Sequence, residues 1–197
     1  GVNAPASDGP NLRALAAYLV VYQHLPIARA AQLIADVTGA RPSTGWVSSV
    51  LPALAALLAD VTKLIKSLIV LAHVIHVDET SSNVNGGRWW LHVACTDTLT
   101  AYYLHASRGR AAVAEFDIRP AFGGNLGHDA FSVYEAYPAA RHALCGAHLA
   151  RELTAAAEAH PDQDWPAQAL RALYGLNTAA HAARRQDRHH IPPEIAD

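Results

Sequence analysis

The sequence predicts a mixed α/β domain behind an all-helical front, and three observations carry that reading. The apolar period changes from helical to alternating at residue 74. Three alternating segments then follow one another across short turn signals. After them, strand-like and helix-like stretches take turns.

The front is helical throughout. "NLRALAAYLVVYQHLP" places Leu12, Leu15, Leu19 and Tyr22 at helical spacing, with Asn11 to cap it and Pro26 to stop it. "IARAAQLIADVTG" is a second helix from Ile27 to a stop at Gly39. "RPSTGWVSSVLPALAALLADVTKLIKSLI" is a third, with Ser43 as its N-cap. Leu51, Leu54, Leu58, Val61, Ile65 and Leu68 form its apolar stripe, and Pro52 is expected to kink it or mark its true start. From residue 74, "VIHVDET", "RWWLHVACTD" and "LTAYYLHAS" alternate. Gly86-Gly87 and Asp97-Thr98 read as the turns of an antiparallel meander. "GRAAVAEFDI" is a short helix and "GGNLGHDAF" a short strand arriving at His128 and Asp129. "RHALCGAHLARELTAAAEAH" is a brief strand passing into a helix. "QDWPAQALRALYGLNTAAHAARRQ" is a last amphipathic helix, and "DRHHIPPEIAD" a Pro-rich end. A meander followed by strands separated by helices is the element order of a ribonuclease-H-like mixed sheet, in which strand ends carry acids to one side. The expected division is a helical segment over 1–73 and the sheet domain over 74–197.

Composition narrows the setting. With 51% hydrophobic and 16% charged residues in 197, the chain can bury a core. The formal charge of −2 gives no nucleic-acid footprint by itself. The charge is uneven, +2 over residues 1–73 and −2 over 74–133, which is compatible with a metal-dependent site beside a mildly basic front. Two cysteines cannot build a disulfide framework. The opening residues are polar and unlike a signal peptide, and the longest apolar run, near 68–77, is too short to span a bilayer. A soluble, cytoplasmic protein with no membrane partner is expected.

The candidate chemistry begins at "VIHVDETSS". A strand ending on Asp78 and Glu79 leaves carboxylates at a sheet edge, as a metal site, a cap or plain surface charge. Asp129 ends the fourth strand 51 residues later. Magnesium takes oxygen ligands and often only one or two carboxylates, keeping several waters, so two acids on neighbouring strand ends suit it. Glu79 alternates to the opposite face and is read as a salt-bridge or supporting group.

"HVDET", "GGRWWLHVACTDTLTAYYLHASRG", "GHDAFSVY" and "HALCGAHLARELTAAAE" resemble, in order, the core of insertion-sequence-66 family transposases. The stretch from Gly9 to Leu51 resembles the helical region ahead of that core. The resemblance implies an Asp-Asp-Glu site on a ribonuclease-H-like fold that cuts and joins DNA. It implies Asp78 and Asp129 as the first two catalytic acids and metal ligands, Mg²⁺ as cofactor with Mn²⁺ as substitute, and DNA, both transposon ends and target, as partner. It also implies a homo-oligomer in the full-length form. The family's third acid, a Glu shortly after paired asparagines, has no counterpart here. Glu152 and Glu158 lie in the "CGAHLARE" segment and Glu194 in the Pro-rich end. The chain is therefore expected to be a C-terminally truncated core, inactive alone.

Other residues keep two readings. Cys145 and His148, with His142 ahead of them, fall short of the four ligands of a structural zinc site. They either shape the site or touch DNA, or pack as a thiol beside a hydrogen-bonded imidazole, the last being favoured. His128 either orients substrate or a metal-bound water, or is a loop residue. One of Trp89 and Trp90 is expected in the core and the other on the opposite face. Residues 27–50 resemble a helix-turn-helix with only Arg29 and Arg41 basic. Hence the alternative function is a helix-turn-helix DNA-binding module carrying a non-catalytic acidic scaffold. A decayed product without activity is the third possibility.

Overall fold

A computed structural model describes residues 9–188 and 190–191; Glu194 and most of the Pro-rich end lie outside them. The chain divides into two compact units between Leu64 and Ile65, inside a helix rather than at residue 74.

In the first unit, α1 (Pro10–Ala17) is capped by Gly9 with Pro10 in the first turn, not by Asn11. Proline is suited to that place because the first-turn N–H has no helical partner to lose. The chain continues as a wider π turn over Tyr18–Tyr22, and α2 (Ile27–Thr38) follows. Gly39 ends α2 with φ 75°, a left-handed cap that glycine adopts without Cβ crowding. α3 (Thr44–Leu57) starts where Ser43 Oγ accepts from Trp46 N at 3.1 Å. Pro52 therefore sits inside α3 and does not start it; the helical path breaks at Leu58, and α4 (Ala59–Val70) resumes it. Ala16, Leu19, Ala30, Ala31, Ile34 and Val47 form this unit's core. The small alanines let α1, α2 and α3 approach closely, so helix contact here rests on fit more than on large side chains.

The second unit is built on one five-stranded sheet of order β3-β2-β1-β4-β5. Its strands are β1 (Val74–Val84), β2 (Gly87–Cys95), β3 (Thr100–His105), β4 (Asn125–His128) and β5 (Arg141–Leu144). The first three form an antiparallel meander; β4 and β5 add in parallel beside β1. The first turn is Asn85-Gly86 rather than Gly86-Gly87. Both residues have positive φ (51° and 80°), the pairing a two-residue hairpin turn requires. Gly87 already pairs with Val84. β1 also runs further than expected, so Asp78 and Glu79 lie within it and not at its end.

Between β3 and β4 comes α5 (Arg110–Phe116), and after β5 come α6 (Gly146–Ala159) and α7 (Trp165–Arg185). Ile75, Val77, Ala94, Ala101 and Leu126 line one sheet face with Ile69, Phe116, Ile118, Phe122 and Tyr134 against it. β4 enters close to the chain ahead of β1. A Cβ on Gly124 would meet the His73 carbonyl at 2.7 Å, so only glycine fits there. Among the described residues this makes a mixed α/β arrangement of seven α-helices and five strands, and the sheet is what positions the acids.

Candidate active site

Alternation along β1 is visible in burial. Ile75, Val77 and Glu79 are buried, while His76, Asp78 and Thr80 on the other face are exposed. The last parallel pair of β1 with β4 is His76 with Gly127. Asp78 and Asp129 each lie two residues past that pair, on the chain segments that continue from it. β4 has ended at His128, so Asp129 is free of the strand's alternation. Its Oδ1 accepts from Phe131 N at 3.1 Å, and its Oδ2 lies 3.7 Å from Arg108 Nη2. Asp78 Oδ1 accepts from Glu79 N at 2.8 Å.

Glu79 is the buried acid of the group, with its side chain 1% exposed. Arg108 Nε donates to Glu79 Oε1 at 2.7 Å, its Nη2 pairs with the same oxygen at 2.7 Å, and Tyr134 donates its hydroxyl to Oε2. The Arg108 guanidinium lies over the Phe131 ring at 4.0 Å and near the Trp90 ring at 5.1 Å. A carboxylate taken out of water at this cost needs such a cation and hydrogen bonds to remain charged. Alternation along β1 puts Glu79 on the face opposite Asp78, and Arg108 is its salt-bridge partner there. Arg108 and Tyr134 are not legible from the sequence because their partner lies 29 and 55 residues away. The available signal was a buried-face acid, which demands a cation somewhere in the fold.

His128 is buried, not a loop residue, and packs on Tyr134 with ring centroids 4.9 Å apart. Its Nε2 is 2.9 Å from His142 Nδ1. Backbone carbonyls close both ends of this ring pair, that of Asp129 at His128 Nδ1 and that of Tyr137 at His142 Nε2. His142 is thus drawn to His128, away from a set with Cys145 and His148.

Cys145 caps α6, and its N–H donates to the His128 carbonyl at 2.7 Å. Burial pushes its thiol pKa up, but hydrogen bonds from the His148 ring and from the His148 and Ala147 amides outweigh this and hold it below the ordinary thiol value. His148 is raised, first by its hydrogen bond to Cys145, against burial; the charges of Cys145 and Asp78 add to the rise and Arg151 opposes it. The pair therefore favours thiolate and imidazolium. Cys145 is expected to react with iodoacetamide several-fold faster than Cys95 near neutral pH, and to stay reactive below the pH at which an ordinary thiol stops. Mass-spectrometric alkylation rates, with His148→Ala removing the advantage, check this.

Trp89 and Trp90 are both half-buried, so neither is the fully enclosed core residue expected of one of them; Trp90 is used by Arg108. Cys95 is on β2 opposite His76 and Thr100. Glu152 is exposed on α6, and Glu158 lines a groove of about 1070 Å³ between α6 and α7 with Ala150, Leu173 and Tyr174. Arg29 and Arg41 belong to the first unit, on α2 and just ahead of α3.

Among the described residues, no three His, Cys, Asp or Glu side chains are grouped to hold a metal ion. The donor chemistry of Asp78 and Asp129 nevertheless fits magnesium, which accepts two carboxylates and fills its shell with water. Each acid has one oxygen engaged by a backbone amide, and the second oxygen of Asp129 lies 3.7 Å from Arg108 Nη2, beyond hydrogen-bond distance. With Glu79 and Arg108 included, the four side chains carry two net negative charges, matching a divalent ion. No helix among the described residues is long and apolar enough to cross a membrane.

Comparison with curated proteins and with solved structures gives no match. The family model described as "Transposase IS66 family" matches residues 6–194. That span takes in the acids, the buried network and the Cys145–His148 pair, and so the chain belongs to the IS66 family of transposases.

Proposed function

We propose that the chain is the catalytic core of an Asp-Asp-Glu transposase, in which Asp78 and Asp129 hold magnesium, or manganese in its place, to cut and join DNA. The observation that carries this is the β1–β4 register, which sets both acids two residues past one ladder pair. The strand order, a meander with two parallel strands added beside β1, supports a ribonuclease-H-like reading of the sheet. When bound, the metal stabilises the attacking and leaving oxygens of the phosphodiester. The residues' own work is to orient those ligands: the Glu79 and Phe131 amides fix one oxygen of each acid. DNA, as transposon end and target, is the substrate, and a homo-oligomer is the working form of the full-length protein. The third carboxylate of the triad is not supplied by Glu79, which is spent on Arg108.

Manganese binding tests the ligand assignment without needing DNA chemistry. Free Mn²⁺, followed by its electron paramagnetic resonance signal, is expected to fall on adding the protein and to recover with Asp78→Asn or Asp129→Asn. Removal of one of two carboxylates should weaken binding by at least about 10-fold. Equal binding by both variants and the parent would rule the pair out.

A further inference from the structure

Arg108 has more holding it than its ion pair with Glu79 requires. Two of its nitrogens converge on one carboxylate oxygen at 2.7 Å, and the rings of Phe131 and Trp90 lie 4.0 and 5.1 Å from its carbon. A planar guanidinium so constrained cannot follow a moving partner. Its Nη2 stands 3.7 Å from Asp129 Oδ2, while Asp129 Oδ1 is held by the Phe131 amide. Both oxygens of Asp129 are thus referenced to fixed groups, one of them through the buried Glu79. Phe131 serves twice, by its amide on Asp129 and its ring on Arg108, so the loop after β4 and the guanidinium are set together.

We propose that Arg108 is a positioning residue for Asp129, transmitting the fixed geometry of Glu79 and Tyr134 to the carboxylate that binds the divalent cation. This rests on Asp129 being a cation ligand, as proposed above. Two effects of Arg108 oppose each other. As a positive charge it repels the incoming ion; as an outer-shell partner it removes the rotational freedom of the ligand. Glu79 cancels the first at short range, since it lies nearer to Arg108 than Asp129 does. Orientation is what remains, and losing an outer-shell partner typically weakens metal affinity by about 10–100-fold.

The opposite signs make the proposal testable. Mn²⁺ is titrated into the 197-residue protein, its Arg108→Lys variant and the Glu79→Gln/Arg108→Gln double variant, with the free ion read by electron paramagnetic resonance. Lysine keeps Glu79 paired but cannot span to Asp129 with a planar fork; the double variant removes the buried charge pair together. Melting curves fix a temperature at which all are folded. The parent is expected to bind Mn²⁺ in an Asp129-dependent way, the double variant about 10-fold or more weakly, and the lysine variant between them. A purely structural Arg108 would lower the melting temperature and leave affinity unchanged, and that result overturns the proposal. Tighter binding in the variants overturns it too, by showing that repulsion dominates. A parent without Asp129-dependent binding overturns the ligand reading itself, and the positioning role with it.

Discussion

Replacing Arg108 with alanine is expected to destabilise the sheet unit by about 3 kcal/mol, near the lower end of what breaking a buried ion pair costs. The cost arises at Glu79. Its side chain is 1% exposed, and once the guanidinium is gone its support is the Tyr134 hydroxyl. Arg108 is itself 38% exposed, so water enters the vacated space and keeps the loss from the top of the range. Lost ring contacts with Phe131 and Trp90 add roughly 0.5–1 kcal/mol each. For a chain of this size the total corresponds to a melting-temperature drop on the order of 10 °C. Glu79→Gln/Arg108→Gln should recover most of it, because the amide that replaces the carboxylate is neutral and still accepts from Tyr134. Thermal and urea denaturation of the two variants decide the matter. If the single and double variants fall equally far, the stranded charge is not the cause, and lost packing around Arg108 is.

The same residues show what a sequence can disclose. Period-two alternation was enough to find β1 and to turn Glu79 away from Asp78, since burial obeys it from Val74 through Glu79. The length of β1 was hidden, because its continuation "TSSN" is polar on both faces, as an exposed hairpin arm allows. Asn85-Gly86 was readable as a turn, but the adjacent Gly87 made the frame ambiguous. Ser43 and Gly39 were legible because caps and left-handed stops are local demands. Arg108 was not: nothing near "SRGR" tells which acid it meets, and only the closing of β1, β2 and the post-β4 loop brings Trp90, Phe131 and Glu79 around it. The loop reading of His128 failed for the same reason, its burial being made by Tyr134 and His142. Local chemistry was visible and long-range pairing was not.

The 197-residue chain by itself is expected to join no DNA ends in a strand-transfer reaction, in magnesium or in manganese. The obstacle is electrostatic. Charge develops on the phosphodiester in the transition state, and the proposed site supplies two carboxylates to hold the cations that balance it. Loss of one such stabilising contribution typically costs on the order of 10²–10³ in rate, and an absent metal ligand weakens a whole cation position. Of the acids that could substitute, Glu79 and Glu158 are placed against doing so. Glu79 is buried on Arg108, Glu158 faces the α6–α7 groove, and Glu152 is exposed on α6, the helix that Cys145 caps beside His128. Glu152 is therefore the acid with the best prospect of reaching the site. The experiment uses purified chain, a matching transposon end and a plasmid target, with Asp129→Asn and Glu152→Gln alongside. Absence of joined product while Asp129-dependent Mn²⁺ binding persists is the expected result: a formed ligand pair without a complete site. Robust joining that vanishes in Asp129→Asn and also in Glu152→Gln would show instead that α6 supplies the third carboxylate, and the two-acid account of the site would be wrong.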